Sequence, residues 1–116
     1  MQTSDLSVGV HLLLNLYNVS DKLLEKLFVG RPLLDRIVSE LNLTVVSETG
    51  HQFTPMGYTY AYVLSESHFT IHTYPEFRSC YIDIFCCNPQ FNTLHAIEFI
   101  KGIFDTKDVT YQVIKR

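Results

Sequence analysis

From Leu64 to Glu76 the chain reads Leu64-Ser65-Glu66-Ser67-His68-Phe69-Thr70-Ile71-His72-Thr73-Tyr74-Pro75-Glu76, and its hydroxyls, imidazoles and carboxylates are concentrated there. Ser67 offers a nucleophilic oxygen, His68 and His72 offer proton transfer, and Glu66 and Glu76 offer carboxylates. Further on, Cys87 adds a thiol. In an extended segment His68 and His72 would point to the same side about 13 Å apart, at roughly 3.3 Å per residue, which is too far to share one metal ion. Cys80, Cys86 and Cys87 lack the CxxC spacing of a zinc site. No metal is therefore expected. Ser67 has no Gly-x-Ser-x-Gly elbow around it, which argues against a hydrolase nucleophile. Taken singly, each residue has an ordinary structural reading: Ser67 as a turn cap, Cys87 as a core thiol, Glu76 as a solvated charge and the histidines as surface side chains.

The rest of the chain limits what such a segment can belong to. With 116 residues, 47% of them hydrophobic and 18% charged, the sequence suits one globular domain spanning residues 1–116, with no repeat or linker. A net charge of −3 without a Lys/Arg cluster argues against nucleic acid as a partner. The apolar run Val8 to Tyr17 is interrupted by His11 and Asn15 and follows no basic segment, so neither a signal peptide nor a membrane span is expected. The odd cysteine count fits a reducing, cytoplasmic setting.

The elements that must hold the reactive stretch can be read from periodicity. Val8 to Tyr17 alternates as a strand, with Val10, Leu12, Leu14 and Leu16 on one side. Ser20 is placed to cap a helical region from Asp21 to Leu41, which Gly30 and Pro32 should divide, with Pro32 opening the second helix. Leu43 to Ser47 reads as a strand and Glu48-Thr49-Gly50-His51 as a turn. Tyr58 to Leu64 and Cys80 to Cys87 read as strands flanking the loop-like or weakly extended reactive stretch. Asn92 should cap a helix through Phe104, and Val109 to Ile114 should form the last strand. The expected fold is α+β: a two-layer sandwich with a mainly antiparallel sheet and helices packed on one face. One difficulty is already visible, because a regular strand would set Ser67 and His72 on opposite faces.

Jointly, Glu66-Ser67-His68, His72-Thr73-Tyr74-Pro75-Glu76 and Cys87 resemble the prokaryotic type of S-adenosylmethionine decarboxylase proenzyme, a pyruvoyl-dependent family. The resemblance runs from Gly9-Val10-His11 through Phe53, Gly57 and Tyr81-Ile82-Asp83-Ile84-Phe85, and fades in the last helix and strand. It implies self-cleavage between Glu66 and Ser67 into a β chain of residues 1–66 and an α chain of residues 67–116, with Ser67 becoming the pyruvoyl cofactor. His72 matches the processing histidine. Thr59 stands where relatives often carry a processing serine, and keeps the hydroxyl. Cys87 matches the catalytic proton donor, and a thiol is protonated at neutral pH. Glu76 matches a carboxylate that binds ribose hydroxyls, and Phe53 an aromatic residue near adenine. The implied reaction converts S-adenosylmethionine to its decarboxylated form and CO2 for spermidine synthesis, in a homodimer that becomes (αβ)2 after processing. Two alternatives stay open at this level: the same machinery acting on ornithine or arginine, and an unprocessed, non-catalytic binding or regulatory homologue.

Overall fold

The structure is a computed structural model that describes residues 8–116. Six strands form a single sheet: β1 (Val10–Tyr17), β2 (Val45–Gln52), β3 (Tyr58–Leu64), β4 (Ser67–Tyr74), β5 (Ser79–Cys86) and β6 (Asp108–Lys115). Their spatial order is β2-β3-β4-β5-β1-β6, and every neighbouring pair is antiparallel. Helices α1 (Asp21–Leu24) and α2 (Leu27–Glu40) connect β1 to β2, and α3 (Thr93–Phe104) connects β5 to β6. This is the expected α+β architecture.

Alternation divides the sheet into two unlike faces. Leu12, Leu14 and Leu16 of β1, Phe69 and Ile71 of β4, and Ile82 and Ile84 of β5 are buried against Leu24, Leu34, Ile37, Ile97, Ile100 and Phe104 of the helices. The intervening residues lie on the other face, which no helix covers. His11, Leu13, Asn15 and Tyr17 alternate there with Thr59, His68, His72, Tyr81, Asp83 and Phe85, all of them half-buried or exposed. The candidate chemistry therefore belongs to the open face and to the ends of the strands.

Three boundaries differ from the sequence reading. The helical region breaks at Glu25–Lys26 rather than at Gly30–Pro32, and Pro32 lies inside α2. The side chain of Gln52 explains the start: its Oε1 accepts from the backbone N–H of Leu27 at 2.6 Å, replacing a local cap. Gly30 is a packing glycine, because a Cβ there would sit 1.9 Å from the Tyr58 hydroxyl oxygen. Strand β2 runs straight through the expected turn at 48–51. Gly50 lies opposite Tyr60, where a Cβ would come within 2.1 Å of the ring, so the glycine makes room for an aromatic side chain. Finally, the reactive stretch is no loop: Ser67 to Tyr74 is a central strand, paired with β3 over residues 67–72 and with β5 over residues 68–74. The caps at the other end were legible, since the Asn92 side chain accepts from the backbone N–H of His95 at 3.0 Å at the start of α3.

Candidate active site

Strand β4 carries Ser67 and His72, and the other candidates gather at its two ends. It begins immediately after a two-residue turn, Ser65–Glu66, which closes the β3–β4 hairpin on the Leu64–Ser67 pair. Glu66 takes a left-handed conformation there, with φ of +64°. Hairpin turns usually reserve that region for Gly or Asn, and a side chain such as glutamate costs about 1 to 3 kcal/mol in it. The strain sits on the residue that supplies the carbonyl of the Glu66–Ser67 peptide. Cys87, just past the end of β5, donates its thiol to that same carbonyl oxygen at 2.9 Å. The Ser67 hydroxyl donates to the carbonyl of Ser65 at 3.3 Å, which holds its Oγ on the N-terminal side of its own Cα. These groups border a cleft of about 330 Å³ together with Asn42, Thr44 and Asn88.

The cysteines divide by environment. Burial pushes the Cys80 thiol up to about 12. Burial also raises Cys86, against a smaller lowering effect from the backbone of Asn88. Both side chains face the core, and Cys87 alone of the three is half-exposed. It is the thiol able to reach a substrate.

The other candidates lie at the far end of the strand. His72 is opposite Thr59, and the Thr59 hydroxyl is 3.0 Å from His72 Nδ1. Beneath them Thr73 accepts from the Tyr58 N–H at 2.9 Å and donates to the Leu24 carbonyl at 2.8 Å, fixing β4 to β3 and α1. Thr59 and His72 join Phe53, Met56, Tyr74 and Glu76 around a second cleft of about 490 Å³. Phe53 is 46% exposed at its mouth, with His51 packed edge-on at 4.7 Å.

The structure thus brings the candidates together in two groups. Glu66, Ser67 and Cys87 meet at one end of β4; Thr59, His72, Phe53 and Glu76 meet at the other. Five residues of extended chain separate Ser67 from His72, or about 16 Å at roughly 3.3 Å per residue. The opposite parity of the two residues holds as well, since β4 is regular along its length. Among the described residues, no three His, Cys, Asp or Glu side chains are grouped to hold a metal ion.

A profile described as S-adenosylmethionine decarboxylase matches residues 10–116. The chain belongs to the S-adenosylmethionine decarboxylase family. It is 32% identical over 110 residues to the S-adenosylmethionine decarboxylase proenzyme of Picrophilus torridus, covering 95% of this chain and 85% of that protein. It is 34% identical to the proenzyme of Persephonella marina, covering 95% and 83%. The crystal structure of the adenosylmethionine decarboxylase from Aquifex aeolicus superimposes with a TM-score of 0.86 at 31% identity, over 95% of this chain and 91% of that one. A Trypanosoma brucei AdoMetDC structure shares the fold, with a TM-score of 0.70 at 17% identity, and this chain corresponds to 45% of its length.

In this member of the S-adenosylmethionine decarboxylase family, the residue that sequence reasoning missed is Gln52. Its Nε2 shares its two hydrogens among the carbonyls of Glu25, Phe53 and Gly57 at 2.9 to 3.0 Å, which locks the 53–57 loop onto the α1–α2 junction and orients Phe53. A half-buried glutamine at a strand end carries no motif, so only the tertiary contacts reveal it. Met56 and Tyr74, to which the sequence reading assigned no role, also line the larger cleft.

Proposed function

We propose that this chain is a self-processing carboxy-lyase that converts S-adenosylmethionine to decarboxylated S-adenosylmethionine and CO2, using a pyruvoyl group made from its own Ser67. The observation that carries the reading is the Cys87 thiol on the Glu66 carbonyl, at a turn strained on the residue before Ser67. The family match and the names of the relatives, proenzymes acting on S-adenosylmethionine, favour this substrate over ornithine or arginine.

The residues at the turn fit the making of such a group. In the first step Ser67 Oγ attacks the Glu66 carbonyl carbon. The C–O bond forms as the C–N peptide bond breaks, and the freed amine takes a proton. Charge develops on the Glu66 oxygen, where the Cys87 S–H already points, so the thiol acts as an oxyanion donor. Loss of the Cα proton of residue 67 then expels the Glu66 carboxylate, and hydrolysis of the remaining enamine releases ammonia and leaves a ketone. That ketone supplies an electron sink for the substrate as CO2 departs. Cys87, half-exposed and adjacent, returns a proton to the substrate carbon. Phe53 offers a π face for adenine and Glu76 a carboxylate for ribose hydroxyls, in a cleft whose volume suits a nucleoside. His72, held at Nδ1 by the Thr59 hydroxyl, has Nε2 left for proton transfer.

Two half-sites about 16 Å apart on one strand cannot serve one reaction centre within a single copy. A second copy packed through the open sheet face, turned by a two-fold axis, brings the Ser67–Cys87 end of one subunit to the Thr59–His72–Glu76 end of the other. The open face carries the apolar side chains Leu13, Val63, Tyr74, Tyr81 and Phe85 that such a contact would cover. The functional unit is accordingly a homodimer, (αβ)2 once processed. Three free cysteines suit a cytoplasmic setting, and among the described residues no helix is long and apolar enough to cross a membrane.

Intact mass under denaturing conditions tests the reading. Two fragments dividing at Glu66/Ser67 are expected, the C-terminal one bearing a pyruvoyl end; a lone 13.4 kDa species would sink it. CO2 release from carboxyl-labelled S-adenosylmethionine should exceed that from ornithine or arginine. The dual use of Cys87 gives a separate expectation. Cys87→Ala slows cleavage by about 100- to 1000-fold, the cost of one oxyanion donor. The cleaved variant then turns over at least about 100-fold more slowly, the scale of a lost general acid. Cleavage followed by mass over time, and turnover of the fully cleaved fraction, measure the two effects independently.

A further inference from the structure

One row of the open face is not used by the reaction as described. It crosses β4, β5 and β1 at His68, Phe85 and His11, one register position from the Glu66–Ser67 turn. His11 and His68 stand on either side of Phe85, 6.1 and 5.9 Å from its ring, yet lean over it until their own ring centroids are 5.7 Å apart and edge-on. His11 Nε2 is shielded from solvent and makes no hydrogen bond; the nearest carboxylate, Asp83, is 3.9 Å away on β5. That spacing is too long for a neutral hydrogen bond and short enough for an ion pair once His11 is protonated.

We propose that His11, Asp83 and His68 form a positioning cluster that holds the reactive end of β4 in place. The proposal rests on the assignment of Ser67 as the processed residue. Cutting Glu66–Ser67 removes the turn that ties β3 to β4, and residue 67 becomes a chain terminus of the kind that frays. His68 is then the first side chain able to anchor it. The groups facing His68 are His11 from β1, Asp83 and Phe85 from β5, Val63 from β3 and Arg116 from the C-terminal segment. Burial lowers His68 below the ordinary value of 6.5; the positive charges of His11 and Arg116 act in the same direction, and Asp83 opposes them. Only His11 has a carboxylate beside its buried nitrogen. The charges of His11 and Arg116 thus disfavour a proton on His68. A cationic imidazole next to residue 67 is avoided until lower pH.

Two measurements decide. In full-length Ser67→Ala protein, imidazole NMR titration should place the His68 midpoint below 6.5, and adding His11→Gln should raise it. In processed enzyme, Asp83→Asn should leave cleavage complete by mass and KM within about twofold, lower kcat by about 10- to 100-fold, and move the acid limb of the kcat profile; Asp83→Glu should restore it. An unchanged His68 midpoint in the His11→Gln protein, or an Asp83→Asn profile that overlays wild type, overturns the proposal. Should Asp83→Asn fail to fold, the His11→Gln titration alone carries the decision. If wild-type protein does not cleave, the proposed function fails, while the titrations still read the cluster.

Discussion

Replacing Ser67 by alanine leaves one uncleaved 13.4 kDa chain and removes decarboxylation, with a loss on the order of 10⁴-fold or more, as when an enzyme loses its nucleophile. The expectation follows from what the side chain must do twice. On the proposed route it attacks the Glu66 carbonyl, and its oxygen later departs with that carboxylate. A methyl group does neither, and a hydroxyl on another residue cannot substitute, because the oxygen that attacks must sit on the Cβ of residue 67 to leave in the elimination. The fold should be indifferent to the change. The Ser67 hydroxyl makes one hydrogen bond, 3.3 Å long and exposed, so stability should move by no more than about 0.5 kcal/mol. Thermal unfolding of the variant therefore separates lost chemistry from lost structure. Ser67→Cys is the informative companion, because a thiol can attack and leave; slow partial cleavage in that variant supports the acyl-shift route. Complete cleavage of Ser67→Ala would refute it.

The sheet was readable because its apolar residues alternate. Leu12, Leu14 and Leu16 all face the helices, as their parity requires. The misread parts share a cause: residues that usually interrupt structure serve packing here. Gly50 extends a strand instead of turning it, because Tyr60 occupies the space above it. Pro32 lies within α2 because the Gln52 side chain supplies a cap five residues earlier, at Leu27. Neither partner is near in sequence, so no local pattern contains the information. The candidate site shows the same division. The Thr59–His72 pair and the Cys87–Glu66 contact join residues whose types were marked in advance. Their separation into two groups was not foreseen. Glu66 to Glu76 reads as one motif, but a regular strand converts that proximity in sequence into distance in space, and only the pairing of His68 to His72 on both sides establishes that the strand is regular.

That separation leads to the expectation with the widest reach. Ser67→Ala and His72→Ala homodimers should each be inactive, yet co-expressed chains should regain activity. In a mixed dimer, one site combines Ser67 and Cys87 from the His72→Ala chain with Thr59, His72, Phe53 and Glu76 from the Ser67→Ala chain, and so is fully intact. The other site carries both defects. Random pairing makes about half the dimers mixed, each with one working site of two, so activity should recover to about one quarter of wild type. Cleavage should recover in parallel: only the His72→Ala chain is cut, and only when a Ser67→Ala partner is present. If both half-sites served a centre within one chain, every chain would lack one necessary group and mixing would restore nothing. Mass spectrometry of the mixture reads this without any substrate. The about 16 Å between Ser67 and His72 along β4 is therefore the observation at stake, since a strand held by neighbours on both sides cannot shorten to bring its ends together.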